Sequence, residues 1–300
     1  MTRQRQASCP SCAAPSPLAF LTRDRNHRVD GKNFAYHHCP ACGMVFINPL
    51  PDDLGRYYPT GYQQLPASVA ELAVWAESER HKLEVLTAHA PPGRLCEIGP
   101  SNGAFAYLAQ QAGYVVEAIE MDGACCAFLR EALGIPVVHT ADTVAALAAL
   151  APCDAIAMWH VIEHLSDPWR TLAVAAGRLR PGGVLILAAP NPAAFQFAVL
   201  GGRWAHVDAP RHVRLFPMSL LRERLAASGL SQVHATTSDA AARGWDRFGW
   251  EHSLMAYARR PPARRLLGIA GRCLAWLAAP LDRRPGRGSA YTMVFRKEGA

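Results

Sequence analysis

Glu97-Ile98-Gly99-Pro100-Ser101-Asn102-Gly103 is the stretch on which the fold turns. It closes a short apolar run at residues 95–98 and opens directly into a helical pattern at 104–112. Gly99 and Gly103 let a ligand approach the backbone, and a helix N-terminus offers it free N–H groups and a positive dipole. Glu120 ends the next apolar run, seventeen residues after Gly103, where a carboxylate can accept both hydroxyls of a ribose. Strand, glycine loop, helix, strand and acid together describe a nucleoside-type cofactor site. A dinucleotide fingerprint would read G-x-G-x-x-G and clear space for a pyrophosphate. Here the pattern is E-x-G-x-S-x-G. An acid before the first glycine repels phosphate and suits a ligand that carries an amino group and a sulfonium.

The alternation continues outward from this loop. Apolar runs at 95–98, 115–119, 137–139, 155–159, 184–188, 232–237 and 291–296 read as strands, and helical patterns fall at 104–112, 124–133, 144–150, 168–179 and 219–228. Such alternation is the signature of a parallel sheet covered on both faces. Upstream, residues 68–89 place Leu72, Trp75, Leu83 and Leu86 near helical spacing, which predicts one helix against the main sheet at the mouth of the site. Downstream, residues 239–289 occupy what would be a tight turn before the last strand. There an apolar run at 266–281, broken by Arg272 and flanked by Arg259, Arg260, Arg264, Arg265, Arg283, Arg284 and Arg287, reads as one helix between basic flanks.

The chain has 300 residues, half of them apolar, and a net charge of +7. That charge is unevenly placed. Residues 1–48 hold six basic and two acidic side chains, 49–258 fifteen and twenty, and 259–300 ten and two. The basicity belongs to the two ends, and an acidic middle is a poor nucleic-acid surface. Residues 1–16 are polar and proline-rich rather than a charged-then-apolar leader, and the thiols do not read as a secretory disulfide framework. A cytoplasmic setting is therefore expected, with the basic insert able to hold the protein at the inner face of a membrane.

Cys9-Pro-Ser-Cys12 and Cys39-Pro-Ala-Cys42-Gly43 are two C-x-x-C knuckles separated by 26 residues. Each places two thiolates on one tight turn, and two such turns complete a tetrahedral structural zinc site with no open position. A segment of this length is expected to draw its folding energy from the metal.

The loop from Glu97 to Gly103, with Glu120, resembles the class I S-adenosylmethionine-dependent methyltransferases. The resemblance implies a Rossmann-like seven-stranded α/β sheet with an N-terminal zinc ribbon (residues 1–48), a helical linker or cap (49–90), and a cofactor-binding domain (91–300) carrying the 239–289 insert. It implies that Glu97, Gly99, Ser101 and Gly103 face the methionine end of S-adenosylmethionine. Glu120 and the adjacent Met121 would take the ribose side, Asp142 the adenine, and Trp159 would close the cofactor contacts.

Trp159-His160-Val161-Ile162-Glu163-His164-Leu165 resembles the strand-four region of the same family, in particular the ubiquinone-biosynthesis type of O-methyltransferase. His160, Glu163 and His164 could supply a general base and its orienting partners, and His164 could equally be a structural histidine capping the loop. Members with E-x-x-E-H here bind a divalent cation. His160 replaces the first acid, which weakens a Mg site. Asp208-Ala209-Pro210-Arg211-His212 resembles a substrate-covering loop in which Arg211 could bind an acidic acceptor and His212 accept a proton. The expected acceptor is a small molecule, a glycan or a lipid-linked intermediate, methylated at oxygen, with membrane-surface contact through 259–287. The alternatives are an rRNA or tRNA methyltransferase that uses its ribbon on RNA, and a non-catalytic cofactor-binding module.

Overall fold

The computed structural model describes residues 6–59 and 61–299. Residues 1–5 at the start of the expected 1–48 unit, residue 60, and residue 300 at the end of the expected 91–300 unit lie outside the described residues. The chain begins with β1 (Gln6–Ser8), β2 (Pro15–Arg23), β3 (Asn33–His38) and β4 (Val45–Ile47), an antiparallel meander. Next come α1 (Val69–Ala76) and α2 (Arg80–His89), separated by a helical turn at Glu77–Glu79. The single helix expected over 68–89 is thus two. Ser78 Oγ donates to the carbonyl of Trp75 at 2.7 Å, a back-bond that competes with the helical ladder, and Glu79 takes φ −97° and ψ 0°. Leu72, Ala76 and Leu86 are buried against the next helix, as an amphipathic reading requires.

The main sheet then builds strand by strand: β5 (Arg94–Ile98), α3 (Ala104–Gln111), β6 (Val115–Glu120), α4 (Gly123–Leu133), β7 (Val137–His139), α5 (Thr143–Ala149), β8 (Cys153–Trp159), α6 (Pro168–Arg178) and β9 (Leu179–Pro190). A covering segment follows, with α7 (Phe195–Leu200), β10 (Arg214–Leu215) and α8 (Met218–Ala226). The chain closes with β11 (Leu230–Thr236), α9 (Ala240–Met255), α10 (Pro261–Asp282) and β12 (Ala290–Lys297). The order is β11-β12-β9-β8-β5-β6-β7, parallel except that β12 is antiparallel to both its neighbours. Central strands are apolar on both faces because helices cover both, so Ala155, Ile156, Ala157, Met158, Val184, Leu185, Ile186 and Leu187 are fully buried. The reversal of strand order between β5 and β8 opens the crevice at their carboxyl ends, where open α/β sheets bind ligands.

Two expectations change here. The N-terminal meander also draws on the covering segment for its core. β4 pairs with β10, so the small sheet runs β1-β2-β3-β4-β10 and incorporates a strand from the covering segment. Tyr36, Val45 and Ile47 share one cluster with Trp204, Val207 and Val213, while Cys39, Met44 and Phe46 share another with Leu220 and Leu225. The 239–289 insert is an antiparallel pair of helices, not one helix. Gly271 lets α10 lie flat on α9: a Cβ there would stand 2.5 Å from the Glu251 Cα. The outward face of α10 leaves Leu266, Ile269, Trp276 and Leu277 exposed, with Arg265 and Arg272, seven residues apart, along one border. Among the described residues no helix is long and apolar enough to cross a membrane.

Candidate active site

The loop after β5 brings the expected cofactor residues together. Gly99 and Gly103 have φ of +68° and +79°, and Ser101 joins them in the left-handed region at +54°. At that φ a side chain is strained, and Ser101 is held by two contacts: its N–H donates to Glu120 Oε2 at 3.0 Å and its Oγ donates to Gln63 Oε1 at 2.7 Å. Glu120 Oε1 also accepts from the N–H groups of Met121 and Asp122, at 2.7 and 2.8 Å. The carboxylate at the end of β6 is therefore tied to the β5 loop and aimed by it. Met121 is exposed on the rim. Asp142 sits past β7 and caps α5, accepting from Ala145 N at 2.9 Å. Trp159 ends β8 as a buried wall, edge-on to Phe105, with the Lys82 ammonium 5.3 Å from its ring. Gln63 carried no motif signal, because only the turn of the linker brings it to Ser101.

Glu97 is buried, and its Oε2 has no hydrogen-bond partner. Burial pushes its carboxyl up to about 8, the Lys82 charge opposing and the nearby Glu79 and Glu120 reinforcing the shift. In an unfolded chain the same group titrates near about 4.3. Between those values the folded chain binds the extra proton, so stability falls as pH rises through that window. Glu97→Gln, which cannot ionise, should come closest to the parent below about pH 4, where the unfolded carboxyl is itself protonated. At pH 8 it should melt higher by at least about 2–4 °C, the shift that 1 kcal/mol produces in a chain of this size. Thermal melts without cofactor check this; superimposable pH profiles would mean that Glu97 is ionised in the fold.

A second constellation lies at the end of β8. Glu163 has no solvent exposure, and neither carboxylate oxygen finds a hydrogen-bond donor. Its neighbours are His160 Nδ1 at 3.5 Å and His212 Nε2 at 3.9 Å. Burial pushes this carboxyl up, yet the contact with His160 and the positive potential of the three histidines outweigh it and bring it to about 2. His212 Nδ1 lies 2.8 Å from the His206 carbonyl, which can only accept, so Nδ1 carries the proton and Nε2 keeps a lone pair. His164 Nδ1 likewise faces the Arg211 carbonyl at 3.0 Å and the Tyr58 hydroxyl at 2.9 Å, and burial drops its pKa to about 4. It pins the loop as a capping histidine would. His160 adopts φ +57° and lies against Trp245, ring centroids 4.5 Å apart. Trp245 comes from α9, so the insert lines the site, a contribution that no motif announced.

The structure relocates Arg211. Instead of facing an acceptor, it is fully buried, 2.8 Å from both Asp24 and Asp208, with the Tyr57 carbonyl at 3.3 Å. Asp24 also accepts from the N–H groups of His27 and Val29. The ion pair joins the β2–β3 connection to the loop that carries His212.

Glu163, His164 and His212 bring their ligand atoms within 4.8 Å of one another, as do Cys9, Cys12, Cys39 and Cys42. The sulfur cluster has Cys9–Cys42 and Cys12–Cys39 separations of 3.6 and 3.5 Å. Zinc–sulfur bonds of about 2.3 Å give a tetrahedron with edges of about 3.8 Å, so the four thiols fit such an ion. Ser11 N–H points at Cys9 Sγ at 3.4 Å. Burial pushes the Cys39 thiol up, but the N–H groups of Cys42 and Ala41 and the Cys12 thiol bring it down to about 6. The second set, two imidazoles to one carboxylate, is the wrong one for Mg, which takes oxygen ligands.

An open α/β sheet whose crevice holds a glycine loop, a strand-two acid and a buried acid–histidine cluster is the apparatus of an enzyme that binds a nucleoside-type cofactor. Residues 73–235, more than half of the chain, match the family model described as a methyltransferase domain, and the chain belongs to that family. It is an S-adenosylmethionine-dependent methyltransferase. Its fold is similar to that of an S-adenosylmethionine-dependent methyltransferase from Archaeoglobus fulgidus, at 15% identity and a TM-score of 0.51 over 74% of this chain and 94% of that one. It is also similar to a candidate sarcosine dimethylglycine methyltransferase from Galdieria sulphuraria, at 14% identity and a TM-score of 0.52 over 82% and 99%. No curated protein matches the sequence.

Proposed function

We propose that the chain methylates a hydroxyl oxygen of a small-molecule, glycan or lipid-linked acceptor, with His212 as general base. The observation that carries this reading is Glu163: a fully buried carboxylate without a hydrogen-bond donor, 3.9 Å from His212 Nε2, the nitrogen left with a lone pair in the neutral ring when Nδ1 donates to the His206 carbonyl. The carboxylate gains its partner when His212 Nε2 takes a proton. His212 is thereby suited to removing a hydroxyl proton as a new O–C bond forms, because the imidazolium is stabilised at the moment it appears. His160 Nδ1 stands 3.5 Å from the same Glu163 oxygen, and His164 positions the loop through Tyr58 and the Arg211 carbonyl.

Bound S-adenosylmethionine supplies the electrophilic methyl group. Glu97, Gly99, Ser101 and Gly103 would hold its methionine end, Glu120 and Met121 its ribose side, Asp142 the adenine, and Trp159 the wall. The Glu97 oxygen without a partner and the φ-positive loop support this assignment. We assign a structural zinc to Cys9, Cys12, Cys39 and Cys42, on the strength of the sulfur spacing. The donor set at Glu163 does not fit Mg, and no step is routed through it.

Among acceptors, the exposed apolar stripe of α10 with its arginine border supports one at or on a membrane surface. The ribbon's edge at β4 is taken by β10, which removes that edge as an RNA surface. Labelled S-adenosylmethionine incubated with the protein and a host extract should place label in hydroxyl-bearing lipid, glycan or small-molecule fractions, as an alkali-stable ether. Label confined to RNA, or to nitrogen, would overturn the reading.

A further inference from the structure

The two basic ends of the chain, separate in sequence, meet in space. Arg23, Arg25 and Arg28 from the β2–β3 region and Arg259 after α9 line a cleft of about 470 Å³, together with Tyr257 and the backbone of Gly31 and Ala256. Arg203 and Arg264 stand close enough to add to the same positive field. Among the described residues none of these six arginines makes an ion pair. The two carboxylates at the cleft are already engaged, Asp24 by Arg211, and Asp30 by the Tyr57 hydroxyl at 2.7 Å and Arg56 at 3.6 Å. Arg25 lies over the Tyr257 ring at 4.9 Å, and its buried Nε has no acceptor. Arg28 spends one amino group on the carbonyls of Ala256 and Ala258, at 2.9 Å each, which fixes the guanidinium beside the cleft.

So many converging guanidinium groups without counter-charge repel one another, and several kinds of anion would relieve them. We infer that this cleft binds a phosphate or diphosphate group carried by a phosphorylated ligand. A dianionic phosphoryl group matches planar, multidentate donors better than a carboxylate does, and the volume leaves room for what is attached to it. Burial together with the charges of neighbouring arginines lowers the pKa of both Arg25 and Arg28, consistent with a site built for an anion. The connection that carries these arginines also carries His27, which packs on Tyr62, itself against Tyr58 and hence His164. One loop thus borders both the anion cleft and the aromatic wall of the catalytic crevice. As an anchor for the acceptor, the cleft rests on the hydroxyl-methylation reading; as an anion site, it stands by itself.

The experiment is calorimetric titration of pyrophosphate, and of a nucleoside diphosphate, into the full chain at low salt. Binding should weaken as salt is raised. Arg25→Gln combined with Arg259→Gln should weaken it at least ten-fold, while S-adenosylmethionine titrates as in the parent. A second arm uses phosphatidylcholine vesicles with and without phosphatidic acid. Co-sedimentation that needs phosphatidic acid, is displaced by pyrophosphate and is lost in the double variant identifies a lipid headgroup; pyrophosphate binding without co-sedimentation identifies a soluble phosphate ester. Either supports the site. Absence of pyrophosphate binding at millimolar concentration, equal binding by the double variant, or arginine-dependent binding of oligouridine without pyrophosphate binding would each overturn it. The parallel cofactor titration keeps these outcomes separate from the methyl-transfer reading.

Discussion

His212→Asn is expected to lower kcat by about 10²–10⁴-fold, the range that a positioned general base contributes, while cofactor affinity stays that of the parent. The amide nitrogen can still reach toward the His206 carbonyl, so the loop should keep its shape, but the imidazole assigned to take the proton is gone. Glu163→Gln tests the other half of the pair. It leaves the imidazole in place but removes the charge that rewards its protonation, so kcat should fall with little change in KM. Both variants require the assay in which the acceptor has been identified. If His212→Asn turned over at the parental rate, proton removal would not pass through this imidazole, and Glu163 would need another account.

Arg211→Leu is expected to destabilise the chain by about 3–5 kcal/mol, the cost of breaking a buried ion pair by removing one partner. The loss does not come from a missing attraction alone. Asp24 and Asp208 remain in the interior, and Asp208, held well below the usual carboxylate range by Arg211, would have to protonate or draw in water. Urea unfolding measures the difference. The triple variant Arg211→Leu, Asp24→Asn and Asp208→Asn should recover much of it, since neutral amides cost far less to bury. A single variant within 1 kcal/mol of the parent would mean that the site is wetter than its full burial indicates. The ion pair also joins the N-terminal meander to the loop that carries His212, so its loss should loosen both.

The sheet was legible because its information is local. Each strand from β5 to β8 is a mostly apolar run bounded by turn residues, β9 starts five residues before its apolar run, and helices α3 to α6 start and stop within a residue or so of where the pattern puts them. Gly99, Gly103 and Glu120 could be placed together from spacing, because a strand–loop–helix–strand unit brings those positions to one crevice, and the family resemblance added Glu97 and Ser101. The four cysteines were legible for the same reason: each tight turn sets two thiols side by side, and the pairs meet in one cluster. The break between α1 and α2 was not, because it rests on one hydroxyl choosing a carbonyl.

Sequence by itself determined the glycine loop, the succession of the main strands along the chain and the pairing of the thiols on tight turns, since backbone sterics and hydrophobic periodicity act over a few residues. Tertiary structure alone decided what distant segments do to one another. It turned Arg211 inward onto Asp24, 187 residues away, brought Trp245 from the insert against His160, and gathered Arg25, Arg28 and Arg259 around one cleft. A charge in a sequence has no sign of use until its neighbours are known. Whether an arginine is a counter-ion, a helix cap or a ligand site depends on which carboxylates reach it first, and only the folded chain sets that competition.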